Sequence, residues 1–190
     1  MSKLKKENKI LDKLNDVFQI TGEVKRKQRV SIKTDKKNVS SILLFLKNQK
    51  GYIHLNHISC VDWIEEGEFE LVYIVWNPKN KLTVTVHTRI DREQPKMENI
   101  DTIWDQANTY EREFREMFGI EFPGLVGRKE FILEDWQDIP PMRKDFNSQQ
   151  YVIDNYVIRP GREDAQDVRE AIQKRSGEIV PEFAKKFSRD

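Results

Sequence analysis

The three histidines and the only cysteine of the chain, His54, His57, Cys60 and His87, fall in one stretch. Three imidazole nitrogens and a thiolate could hold a tetrahedral zinc ion. The spacing works against it, because steps of three along a strand send successive side chains to opposite faces. Nothing in the sequence suggests a lowered thiol pKa at Cys60, so a Cys-His nucleophilic pair is no better supported. Glu111, Glu113 and Glu116 could be imagined as a paired acid and base. Glu113 and Glu116, however, are expected on the outer face of a helix beside Arg112 and Arg115, where surface ion pairing is the plainer use. One cysteine cannot hold an iron–sulfur cluster, and there is no Gly-x-Gly-x-x-Gly run or Gly-Lys-Thr phosphate loop. The expectation is a chain without a redox, nucleotide or metal centre of its own, with a small zinc-dependent enzyme as the rival from another class.

Glu111 is the anomaly. Ile100, Ile103, Trp104, Ala107, Phe114 and Phe118 share one side of a 3.6-residue repeat, and position 111 lies along the same stripe. A carboxylate there must be paired, protonated or functional. The pairing reading gives it Arg115, Arg89 or Arg143; the functional reading presents it to a partner subunit. Arg143, Lys144 and Asp145, flanked by Met142 and Phe146 after Pro140-Pro141, are either a solvated loop or an interface anchor of the residue types enriched at hot spots. Lys25 to Arg29 reads as a solvated edge strand rather than a phosphate patch, since no aromatics interleave it.

The elements that must position these residues follow from periodicity. A helix is predicted over 3–20, with Leu4, Ile10, Leu11, Leu14, Val17 and Phe18 on one side and Gly22 as its stop. A second helix, capped by Thr34 or Asp35, buries Val39, Ile42, Leu43 and Leu46 and ends at Gly51. The period then becomes two. Ile58 to Ile64 and Phe69 to Trp76 are strands, the latter apolar on both sides as a central strand would be. Asn77 to Asn80 turns the chain. Lys81 to Ile90 alternates Leu82, Val84, Val86 and Ile90 with Thr83, Thr85, His87 and Arg89. A long helix runs from Ile100 toward Phe122, about 28 Å, with Asp101 at its positive end and Gly119 as its left-handed stop. The fold class is α+β: an antiparallel or mixed sheet covered by helices, over residues 1–146. Residues 147–190 read as an extended arm with short amphipathic helices around Ala165, Val168 and Ile172 and around Val180, Phe183, Ala184 and Phe187, ordered against a partner.

Composition narrows the function classes. Apolar residues make up 37% and charged residues 34%, so the core is small and part of the stability is expected from docking. The net charge of +1 gives no global field toward nucleic acid or anionic lipid. No apolar run approaches the length of a membrane span. The amino terminus lacks a signal-like apolar core, and one cysteine cannot form an internal disulfide, so a cytosolic location is expected.

The run from Ala107 to Phe122, then Leu133-Glu134-Asp135-Trp136 and Pro141 to Phe146, resembles the thirty-kilodalton subunit of respiratory complex I and its relatives in membrane-bound [NiFe]-hydrogenases. The resemblance covers roughly residues 25–146. It implies a scaffold subunit of the peripheral arm, on the cytoplasmic side of the membrane, without activity or cofactor of its own. Its implied partners are the hydrogenase-large-subunit homologue (the 49 kDa-like subunit) and the iron–sulfur subunits, which carry the iron–sulfur clusters and the nickel-iron or quinone site. The implied partner-binding positions are Tyr110, Glu111, Arg112, Glu113, Phe118, Gly119, Trp136, Arg143, Lys144, Asp145 and Phe146. One stretch departs from the family pattern. Between Gly124 and Leu133, quinone-reducing members usually carry Gly-His-Pro, an acidic residue and Leu-Arg-Arg, whereas here the His-Pro is missing and only Arg128-Lys129 matches the basic pair. Two readings stay open, a hydrogenase-type or other ferredoxin-linked ion-pumping complex and a true NADH:quinone oxidoreductase.

Overall fold

Asn77 turns the chain with its own side chain, its Oδ1 accepting the N–H groups of Lys79 (2.9 Å) and Asn80 (3.1 Å). This turn joins the two longest-paired strands of the sheet, β4 (Glu68–Asn77) and β5 (Leu82–Asp91). The computed structural model describes residues 4–125 and 130–156. Around that hairpin stand α1 (Lys5–Phe18), β1 (Thr21–Arg26), β2 (Arg29–Lys33), α2 (Val39–Lys50), β3 (His54–Trp63), α3 (Ala107–Phe118) and α4 (Ser148–Asn155). The sheet runs β1-β2-β5-β4-β3, with β2 parallel to β5 and every other pair antiparallel. This is the expected α+β fold on a mixed sheet.

Alternation decides which face is covered. Phe69, Leu71, Tyr73 and Val75 of β4 and Leu82, Val84, Val86 and Ile90 of β5 are buried. They join Ile10 and Leu14 of α1, Val39, Ile42, Leu43 and Leu46 of α2 and Phe114 and Phe118 of α3 in one core. Each such side chain contributes about 1.5–3 kcal/mol by leaving water. β4 has a strand on either side, as its two-sided apolar pattern predicts, although its second face is only half-buried.

Several boundaries differ from expectation for local reasons. α1 stops at Gln19, which takes the left-handed conformation (φ 50°). Gly22 instead lies in β1, where a Cβ would come within 2.6 Å of Leu11 Cδ1 and 2.9 Å of Ile32 Cγ2, so α1 can cross the strand only over glycine. Neither Thr34 nor Asp35 caps α2 by its side chain; a 3₁₀ turn over Lys36–Asn38 leads into the helix. β3 starts at His54 rather than Ile58, and Ile64 already belongs to the next turn. Lys25 to Arg29 is a hairpin rather than one strand. Lys25 and Arg26 end the edge strand β1, Gln28 turns with φ 65°, and Arg29 opens β2.

The largest difference is at α3. It has 12 residues, about 18 Å, and begins at Ala107. Residues 100–106 make successive turns instead, with Ile103 and Trp104 N–H both donating to the Ile100 carbonyl and Ala107 N–H to that of Trp104. Steps of three and four occur in such turns as in a helix, so the stripe alone could not separate them. Asp101 therefore lies outside the helix, while Gly119 ends it as expected (φ 76°).

The chain divides into two compact units, Met1–Phe146 and Asn147–Asp190. In the second, α4 is a helix the sequence reading does not contain. The Asn147 side chain caps it, accepting the Gln150 N–H at 3.1 Å. The expected helices around Ala165 and Val180, and Gly127, Arg128 and Lys129, lie outside the described residues.

Candidate functional site: a fastened loop on the end of α3

Residues 130–146 carry no regular secondary structure, yet side-chain and backbone attachments hold both ends. The Glu116 carboxylate accepts the backbone N–H groups of Phe131, Ile132 (2.8 Å) and Leu133 (2.9 Å). Burial alone would raise its pKa, but these three donors outweigh burial and hold it below the ordinary range. Glu116 thus anchors the loop, and the charge of Arg115, the neighbour expected to pair with it, adds to the lowering. Beside it, Arg112 Nη2 donates to the Glu130 carbonyl (3.0 Å), and its guanidinium lies over the Phe131 ring.

The other attachments hold the end of the loop. Arg143 Nε donates to the Phe118 carbonyl at 2.7 Å, meeting one of the carbonyls left open at the C-terminus of α3. Its guanidinium also lies 5.3 Å from the Phe69 ring centroid. Lys144 N–H donates to Asp62 Oδ2 (2.9 Å) and Met142 N–H to the Met117 carbonyl (3.0 Å). Arg92, with its side chain 7% exposed, forks onto both Asp62 oxygens (2.8 and 3.1 Å) and reaches Asp145 Oδ1 at 2.7 Å. Burial pushes the Asp62 carboxyl up, but Arg92 and the Lys144 N–H more than reverse this and hold it below its usual range. The Arg92 fork lowers Asp145 as well. Trp136 stacks edge-on against Phe146 and donates Nε1–H to the Ile139 carbonyl.

Gly119 is where the helix and the loop come closest. A Cβ there would sit 3.0 Å from Arg143 Nη2 and 3.2 Å from Pro140 Cγ, on a backbone side chains rarely adopt. Gly119→Ala should therefore lower unfolding free energy by about 2 kcal/mol, combining left-handed strain with a weakened Arg143 bond. Urea denaturation checks this, and a change under about 0.5 kcal/mol would show that Arg143 has room to move.

The eleven positions implied by the resemblance thus divide. Arg112, Phe118, Gly119, Trp136, Arg143, Asp145 and Phe146, with the Lys144 backbone, meet around the α3 terminus and the loop. Glu113 is half-buried and the Lys144 side chain is exposed. Tyr110 is apart, ring-to-edge with His57 at 5.2 Å. Arg143 and Asp145 are engaged inside the chain rather than held out as free anchors.

Glu111 is 1% exposed, with no arginine beside it. Its Oε1 accepts the Ile100 N–H at 2.8 Å, and its Oε2 has no partner. Burial pushes the carboxyl up, the Ile100 N–H opposes and Asp101 adds to the rise, leaving a pKa of about 7. Two of the three arginines expected there are engaged elsewhere, Arg89 with Glu66 and Glu68 on the other face of the sheet and Arg143 at the end of α3.

The histidines and Cys60 do not converge. A bulge between Leu55 and His57 places His54 opposite Trp76 and His57 opposite Ile74, on one face, while Cys60 faces Leu71 on the other. His87 pairs with Glu70 at 3.0 Å. Burial, and then Asp62, push the Cys60 thiol up to about 12. Among the described residues no group of three His, Cys, Asp or Glu side chains could hold a metal ion. Sequence reasoning missed Asp62 and Arg92. Their only signal was a charged residue at each end of an apolar alternation, Asp62 in register with Phe69.

Residues 32–152 match the model of the family described as the respiratory-chain NADH dehydrogenase 30 Kd subunit. The chain belongs to this family. Relatives include an NADH-quinone oxidoreductase subunit of Moorella thermoacetica, 29% identical over 57% of this chain and 74% of that protein. An F420H2 dehydrogenase subunit of Methanosarcina mazei is 29% identical over 62% and 75%. Among solved structures, a chain of the membrane-bound sulfane sulfur reductase, an archaeal respiratory membrane complex, superposes with a TM-score of 0.75 at 30% identity. The match covers 86% of this chain and 98% of that one. The family match starts at the end of β2, takes in α2 to α3 and the whole fastened loop, and stops inside α4, while α1 and β1 precede it.

Proposed function

We propose that this 30 kDa-family chain is a non-catalytic scaffold subunit of a membrane-associated, complex I-like electron-transfer complex. Its loop 130–146 docks on the hydrogenase-large-subunit homologue. One observation carries the reading: the loop is fastened on the inside and holds three large apolar side chains out to water among its charged and polar ones. Ile132 is 66% exposed, Met142 54% and Ile139 42%, on backbone held by Glu116, Arg92 and Arg143. A rigid loop presenting large apolar side chains to water is built for an interface, since it loses little freedom on binding.

The relatives support the reading from another side. Their names carry different electron carriers and substrates, NADH and quinone, F420H2, and sulfane sulfur, so what this subunit type shares among them is a place in the assembly. Iron–sulfur clusters and a nickel-iron, quinone or other reducing site then belong to partner subunits. Among the described residues no helix is long and apolar enough to cross a membrane, which fits a subunit held at the cytoplasmic face through its partners. The NADH-quinone relative keeps the quinone-reducing form as the second reading.

Purification from the native host in mild detergent tests both. Recovery with iron–sulfur and membrane subunits supports the scaffold, and nickel in the large subunit separates hydrogenase from quinone chemistry. Ile139→Asp with Met142→Asp should leave unfolding free energy within about 0.5 kcal/mol, since both side chains already face water, while the partner subunits are no longer recovered. A variant that still recovers all of them, or a wild-type chain that purifies alone, would overturn the reading.

A further inference from the structure

Lys6, Lys9 and Lys13 stand at steps of three and four on α1, all exposed on one face, and Lys50 joins them from the last turn of α2. The four lysines line one cavity of about 320 Å³, whose other walls are Ile10, Tyr52, Asn80 and Leu82. A second cavity of about 260 Å³ shares Lys6, Asn80 and Leu82 and adds Lys5 and Lys27. Like charges at this spacing oppose the helix that carries them. Lys50 is met by the face of the Phe45 ring, 4.9 Å from its centroid. None of the four lining lysines forms an ion pair among the described residues. The nearest lining carboxylate, Glu7, is 4% exposed and turned inward, accepting the Gln28 N–H at 2.7 Å. Partial burial, then Lys13 and Lys9, hold the Lys50 ammonium below the ordinary lysine range. Burial keeps the Tyr52 phenol protonated, so it adds no negative charge.

We propose that this cleft is an anion site for a multiply phosphorylated group. Convergent ammonium groups on flexible stems suit the compact, high charge of linked phosphates, whereas a planar carboxylate is better met by the guanidinium fork that is missing here. Tyr52 is 2% exposed and offers no open ring face for a base to stack on, so charge is read and nucleobase is not. The same chemistry could arrive as a soluble polyphosphate or as a phospholipid headgroup. The site lies mostly before the residues shared with the family, and it is independent of the docking loop.

The test uses the full chain, inorganic tripolyphosphate, and phosphatidylcholine vesicles with and without phosphatidylinositol bisphosphate. Tripolyphosphate should bind saturably at low salt and weaken steeply as salt rises. Lys9→Glu with Lys13→Glu should weaken it at least about tenfold. Lys36→Glu with Lys37→Glu, the same charge change on exposed residues before α2, should leave it unchanged. Both pairs lie on exposed surface, and unchanged melting confirms that the fold is kept. Vesicle binding that needs phosphatidylinositol bisphosphate and is lost in the α1 variant assigns a lipid headgroup, and tripolyphosphate binding alone assigns a soluble ligand. Absence of saturable binding, equal loss in both variants, or tighter binding of polyglutamate than of tripolyphosphate would overturn the proposal, the last in favour of an acidic protein partner.

Discussion

Arg92→Ala should lower the unfolding free energy by about 3–5 kcal/mol, the cost of leaving a buried carboxylate without its counter-charge. Asp62 is the group left behind. Its side chain is 3% exposed and loses both guanidinium bonds, keeping only the Lys144 N–H, while Asp145, at 38%, can turn to water. For a domain of this size the melting temperature should drop by about 10 °C, and the 130–146 loop should become the first site of protease cutting. Asp62→Leu with Arg92→Met should recover most of the loss, because an apolar pair of similar volume has no charge to desolvate. A double variant as unstable as Arg92→Ala would place the effect in shape rather than charge.

Glu111→Gln should make the protein more stable at pH 8 than wild type and leave the two alike near pH 4.5. The ordinary carboxyl value is 4.5 and the folded value is about 7. Between these the folded chain keeps a proton that the unfolded chain has released, so wild-type stability falls as pH rises through the window. The full penalty above pH 7 is about 3 kcal/mol. Glutamine copies the neutral acid, can still accept the Ile100 N–H, and has nothing to titrate. Asp62, Asp145 and Glu116 are depressed and act in a separate window. Their contribution is present above the ordinary carboxyl range and is lost only as pH falls below it. Urea denaturation at unit pH steps from 5 to 8 separates the two groups. A Glu111→Gln protein with the wild-type slope would show that Glu111 is charged in the folded state.

The same residues mark where sequence reasoning stopped. Glu111 was visible as a carboxylate on an apolar stripe, because the hydrophobic period alone says which positions turn inward. Which group answers it was not visible. The answer is the N–H of Ile100, eleven residues earlier, brought back beside Glu111 because residues 100–106 turn instead of continuing the helix that starts at Ala107. Arg92 and Asp62 were invisible as a pair, since a contact thirty residues long in sequence leaves no local periodicity.

What the sequence determined by itself is what short-range physics carries. Alternation laid out β4 and β5 and the faces they bury, Asn77 specified the turn between them, and Gly51 and Gly119 stopped α2 and α3. The run from Ala107 to Phe122, with Leu133 to Trp136 and Pro141 to Phe146, was enough to name the family. Only the tertiary structure decided what those family residues do, fastening a loop that holds Ile132, Ile139 and Met142 out to water, and that four lysines from α1 and α2 meet in one cleft. Both depend on charges and hydrogen bonds between segments far apart in the chain, and those partners are chosen by packing, not by neighbours in sequence.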